Sequence, residues 1–68
     1  MTKRMSLTRY VDLAARIGVK RGETVEDARM LNSAFWRAHD YGIRTYGAKQ
    51  FIPAWRKRFD ELKWGSDA

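Results

Sequence analysis

The sequence predicts an all-α fold, arranged as a compact three-helix domain. Apolar residues recur at intervals of three and four along three separate stretches, which is the pattern of amphipathic helices. Glycine and proline, the residues that most often interrupt helices, stand at the ends of those stretches. A chain of 68 residues has room for one domain only. We therefore expect a single helical domain over residues 1–68, with frayed tails at 1–5 and 65–68.

The first predicted helix spans residues 7–17. Ser6 is a suitable N-cap, because its hydroxyl can accept a hydrogen bond from a free amide of the first turn. Apolar side chains then recur on one face from Leu7 to Ile17. Gly18 follows at the position where a left-handed residue often ends a helix, so we expect the helix to stop there.

The second predicted helix spans residues 25–41. Thr24 is its expected N-cap, and Asp27 places a negative charge in the first turn, where the helix dipole stabilises it. Gly42 is expected to end the helix. Trp36 falls outside the main apolar face, so this helix is apolar on more than one side. Such a pattern is typical of a central helix or of one that contacts another protein.

Pro53 is expected to begin the third helix, which spans residues 53–64. Proline is favourable in the first turn of a helix and disruptive in its interior, because it lacks the amide hydrogen that the interior needs. In the preceding residues 42–51, Gly42 and Gly47 bracket the short segment IRTY. We interpret this stretch as an irregular connection between two helices.

The composition points to an anionic partner. The chain has 14 Lys and Arg against 8 Asp and Glu, which gives a formal net charge of +6. Nucleic acids and acidic protein surfaces are the partners that such a balance favours. The absence of cysteine excludes disulfides and thiolate metal sites. No stretch resembles a signal peptide or approaches the roughly 20 apolar residues that span a bilayer, so we expect a cytoplasmic protein that does not bind membranes.

No residue pattern indicates catalysis. His39 is the one histidine, and we interpret it as a half-buried packing residue on the second helix. The sequence has no serine or cysteine nucleophile pattern, no glycine-rich phosphate loop and no spacing typical of metal ligands. We therefore predict that the protein is not an enzyme and has no cofactor, metal ion or small-molecule substrate.

The stretch from residue 41 to residue 59 contains no acidic side chain and combines basic with aromatic residues. Lys and Arg release the counterions condensed on nucleic acid, and aromatic rings can stack on unpaired bases. We predict a small nucleic-acid-binding regulatory or accessory protein, with DNA favoured over RNA. The predicted contacts are Tyr46, as a base-stacking ring, and the basic residues Arg44, Lys49, Arg56, Lys57 and Arg58.

A helix-turn-helix is another way in which the sequence could bind DNA. Ala14, Gly18 and Val19 have the spacing of its first helix and turn. The loop that continues to Thr24 is longer than the usual turn of three or four residues. The next helix would also bring acidic residues such as Asp27 towards the phosphates. We therefore disfavour this motif.

The alternative function is a small inhibitor or adaptor, of the kind that a phage or plasmid encodes, which binds an acidic host protein. Trp and Arg are the residues that most often anchor protein interfaces. Arg29, Trp36 and Trp64 are the candidates for such a surface. A homodimer is a further way to stabilise so short a chain.

Overall fold

The computed structural model describes residues 5–65, and the regular structure in this range is entirely helical. The all-α class is therefore confirmed, while the count of three helices is wrong. The predicted tails fall largely outside the described residues. The elements are α1 (Leu7–Arg21), α2 (Val25–Leu31), α3 (Ala34–Tyr46), α4 (Ala48–Asp60) and a final π-helical turn (Glu61–Gly65).

Helix α1 begins where it was predicted to begin but ends later. The Ser6 hydroxyl accepts a hydrogen bond from the Arg9 amide at 3.3 Å, which confirms the cap. Gly18 does not end the helix. It is buried, and a Cβ placed there would lie 3.1 Å from the ring of Phe59. Gly22 ends α1 instead, in a left-handed conformation with φ of 71°. The suggested turn of a helix-turn-helix at residues 18–19 is therefore wrong.

The single helix predicted over residues 25–41 is wrong because the chain turns at Asn32. Thr24 caps α2 as predicted, its hydroxyl accepting from the Asp27 amide at 3.0 Å. Asn32 is left-handed, with φ of 51°, and Asn tolerates that conformation better than most residues. The hydroxyl of Ser33 donates to the Glu23 carboxylate at 2.7 Å, which ties the turn to the loop after α1.

The irregular connection predicted over residues 42–51 is also wrong. Helix α3 continues through Gly42, which is buried against α4, and a Cβ at this position would overlap the ring of Phe51. Only Gly47, with φ of 92°, separates α3 from α4. The glycine at residue 42 thus permits close packing between two helices and does not interrupt one.

The start of the last helix at Pro53 is wrong, because α4 begins at Ala48 and has Pro53 in its interior. The missing amide of Pro53 removes the hydrogen bond that the carbonyl of Lys49 would otherwise accept. Both residues are exposed, so this loss occurs on the solvent side of the helix. The prediction assumed the usual cost of an interior proline, which the packing of α4 offsets.

The core is aromatic and is held between α1, α3 and α4. Helix α1 packs against both α3 and α4, and it does so through small residues such as Ala14 and Ala15. Phe35 and Phe51 are the largest fully buried side chains. The ring of Trp55 lies 5.6 Å from the ring of Phe35, in a stacked arrangement. Large rings from α3 and α4 therefore fill the space that small residues on α1 leave.

We predict that Gly42→Ala destabilises the protein by about 1–3 kcal/mol, because the new methyl group overpacks the core against Phe51. At a solvent-exposed helix position the same substitution would stabilise the protein by up to about 1 kcal/mol. Urea denaturation of the two proteins measures the difference.

The matched control is Phe51→Leu, alone and combined with Gly42→Ala. The smaller side chain gives the methyl group space, so the cost of Gly42→Ala should shrink in that background. Strictly additive costs would contradict the close contact between residues 42 and 51.

Candidate nucleic-acid interface

Three of the six predicted contact residues share the outer surface of α4. Lys49, Arg56 and Lys57 are exposed, and none of them has a carboxylate within ion-pair distance among residues 5–65. We call these three residues the α4 outer face. Lys49 and Lys57 lie two turns apart, a separation of about 12 Å along the helix axis. Trp55 and Phe51 occupy the opposite, buried side of the same helix.

Arg58 lies away from this face and is already paired. Its Nε donates to the Asp12 carboxylate at 2.7 Å, and its Nη1 lies 3.3 Å from Glu61. Asp12 also accepts from Arg16 at 2.8 Å. These hydrogen bonds, first from Arg16 and then from Arg58, hold the pKa of the Asp12 carboxyl below its usual value. Arg58 thus connects α4 to α1, and this contact occupies the guanidinium that the sequence assigned to phosphate.

The two predicted contacts on α3 also make contacts within the chain. Arg44 donates to Asp40 at 2.9 Å, although its side chain remains 78% exposed. The ring of Tyr46 lies 5.6 Å from the ring of Tyr10, and its hydroxyl donates to the carbonyl of Met5. Arg44 therefore remains accessible to a ligand, whereas Tyr46 is engaged with Tyr10 and Met5.

The residues predicted for a protein interface are only partly brought together. The guanidinium of Arg29 lies 5.8 Å from the ring of Trp36, which is half-buried and stacks on His39. Trp64 is 72% exposed and lies on the π-helical turn, which packs against α1 and α4. Arg29 and Trp36 can therefore form one surface, and Trp64 belongs to another.

His39 is more deeply placed than the sequence indicated. It is 6% exposed, and the rings of Phe35, Trp36, Phe51 and Trp55 surround it. Its Nδ1 atom is buried and has no hydrogen-bond partner among the described residues. Burial lowers the pKa of His39, because a charged imidazolium would lose its hydration there. Nearby Asp40 partly opposes this effect.

Two features of the surface were missed from the sequence. Arg37 is exposed on α3 and lies two turns before Arg44, on the same side of the helix. Leu13 is 42% exposed on α1, beside a groove between α1 and α4. Its position beyond the edge of the apolar face of the first predicted helix was the signal that could have identified it.

No protein-family model matches this chain, and neither the curated proteins nor the solved structures include a significant match. Within residues 5–65, no cluster of His, Asp or Glu side chains is arranged to hold a metal ion. No helix in the same range has both the length and the apolar character needed to cross a membrane.

We predict that acid destabilises the fold through His39. The folded state lowers the pKa of His39, so the unfolded chain binds a proton more readily, and lowering the pH favours unfolding. Above the pKa of His39 in the unfolded chain, about 6.5, the free energy of unfolding is not reduced by protonation of this residue. It decreases as the pH falls from there towards the lower pKa of His39 in the folded protein. The slope can reach about 1.4 kcal/mol per pH unit.

Urea denaturation of the wild type and of His39→Gln, from about pH 7.5 to about pH 5, measures this slope. The chain has one histidine, so the variant should lose most of the pH dependence in that range. Equal slopes for both proteins would show that His39 is protonated as easily in the folded state as in the unfolded one.

Proposed function

We propose that this chain is a small, non-enzymatic, cytoplasmic nucleic-acid-binding protein with a regulatory or accessory role, and that the α4 outer face contacts phosphate. The observation that supports this most directly is that Lys49, Arg56 and Lys57 have no carboxylate partner within the part of the chain that the structure describes. Cations that are not neutralised within the protein are free to release counterions from a phosphate backbone.

Arg44 extends this face in our proposal. Its ion pair with Asp40 is an exposed pair one helical turn apart, and such pairs contribute little stability. A phosphate can therefore replace Asp40 at small cost. Arg56 adds a guanidinium that can hold a phosphate with two parallel hydrogen bonds, which an ammonium group cannot do. Arg58 has no phosphate contact in this scheme, because Asp12 and Glu61 already bind it.

Contact with a duplex backbone is better supported than base stacking. Phe51 and Trp55 are buried, so these aromatic residues of the acid-free stretch are unavailable to bases. Tyr46 would have to give up its contacts with Tyr10 and Met5 in order to stack. Phosphate contacts position a protein on DNA without reading its sequence, so we expect weak sequence preference from this face.

We predict that the protein binds a short DNA duplex with a steep dependence on salt. If three to four phosphates are neutralised, the affinity falls by roughly 40- to 150-fold between about 50 and about 200 mM salt. Lys49→Gln combined with Lys57→Gln should weaken binding to all sequences and reduce the salt slope by about two. Fluorescence anisotropy with labelled duplexes measures both quantities.

The matched control is Lys20→Gln combined with Arg29→Gln, which removes the same charge from exposed positions on α1 and α2. This control should keep most of the salt slope. No binding at low salt, or equal losses in the two double variants, would mean that the α4 outer face is not the binding surface.

A second candidate function is an adaptor or inhibitor that binds an acidic host protein. The contact between Arg29 and Trp36 favours it, because Met30 and Leu31 beside them are 84% and 66% exposed. Trp64 would form a separate contact on the π-helical turn. This function predicts no binding to oligonucleotides even at low salt, so the same titration separates the two candidates.

A further inference from the structure

A groove of about 840 Å³ runs between α1 and α4. Leu7 and Val11 on α1 and Ala54 on α4 line it with apolar atoms. Met5 and Leu13 also line it, and they remain 44% and 42% exposed. We call this feature the α1–α4 groove. It combines exposed apolar surface with a concave shape, which is the combination that marks interaction sites on small proteins.

The charges that line the groove alternate in sign at one end. Arg16 donates to Asp12, Asp12 accepts from Arg58, and Arg58 also pairs with Glu61. Among these contacts, the pair of Arg58 with Asp12 links α4 to α1. The carboxylates of Asp12 and Glu61 that line the groove are already paired with Arg16 and Arg58.

Two further cations line the groove without carboxylate partners among residues 5–65. Arg9 lies on α1 and Lys57 on α4. An occupant with negative side chains would complement them. A second copy of this chain would not, because each copy carries a net charge of +6. The apolar lining favours a protein segment over a nucleic acid, and the unpaired cations favour an acidic segment over a second copy of this chain.

We propose that the α1–α4 groove binds an acidic amphipathic helix of a partner protein. The apolar residues of that helix would contact Met5, Leu7 and Leu13, and its carboxylates would pair with Arg9 and Lys57. The groove extends along α1 from Leu7 to Arg16, about 14 Å, so it accommodates between two and three helical turns. The α1–α4 groove is a second site beside the α4 outer face, and Lys57 belongs to both.

The probe is a labelled synthetic helix with leucine at positions i, i+3, i+4 and i+7 and glutamate at most other positions. Two control peptides carry lysine in place of glutamate, or serine in place of leucine. Anisotropy measures binding to the full chain, and amide chemical shifts locate it. We expect only the acidic, leucine-containing peptide to bind with a Kd below about 1 mM, with the largest shifts on α1 and α4.

The matched variants are Leu13→Asp, which adds a negative charge to the groove, and Met30→Asp, which makes a similar change at an exposed position on α2. Leu13→Asp should weaken peptide binding at least about tenfold, and Met30→Asp should leave it unchanged. Thermal unfolding of both variants checks that the fold is intact.

Several outcomes would overturn the proposal. They are the absence of peptide binding, equal binding of the lysine peptide, equal loss in the two variants, and peptide shifts that lie outside the groove. A DNA duplex that shifts the groove residues in place of the peptide would assign the groove to nucleic acid. Lys49→Gln combined with Arg56→Gln changes two residues that do not line the groove, so its loss of duplex binding tests the α4 outer face separately. Failure of one proposal is therefore distinguishable from failure of the other.

Discussion

The close approach of aromatic rings to two glycines determines how this small helical protein packs. The ring of Phe51 lies where a Cβ of Gly42 would be, and the rings of Phe59 and Phe35 lie against Gly18. Interiors are packed densely, so even a single methyl group at such a point has a cost. The two contacts bring α4 onto α3 and onto α1. They determine which side of α4 faces the core.

This packing separates the roles of the residues on α4. Because Phe51 and Trp55 turn inwards, Lys49 and Lys57 turn outwards, and Arg58 comes to lie beside α1. The hydrogen bonds of Arg58 to Asp12 and Glu61 strengthen the contact between α1 and the end of α4. With these aromatic rings buried, Lys49, Arg56 and Lys57 are exposed on the outer side of α4, and our proposal of phosphate contact rests on this arrangement.

The sequence allowed the helical class and the caps at Ser6 and Thr24 to be predicted, because caps depend on residues close in the chain. Gly18 and Gly42 were misassigned, since a glycine that ends a helix and one that admits a distant ring look alike in sequence. The number of basic residues in the C-terminal half was evident. The pairing of Arg58 was not, because Asp12 lies 46 residues away and only the fold brings them together.

The central claim is that the α4 outer face contacts phosphate, and mapping a DNA duplex onto the protein tests it most directly. Amide chemical shifts of the full chain, followed during titration with a short duplex at low salt, would locate the contact residue by residue. The account predicts that the largest shifts occur at Lys49, Arg56 and Lys57, with smaller ones at Arg44. Shifts concentrated at Arg29 and Trp36, or no shifts at all, would contradict it.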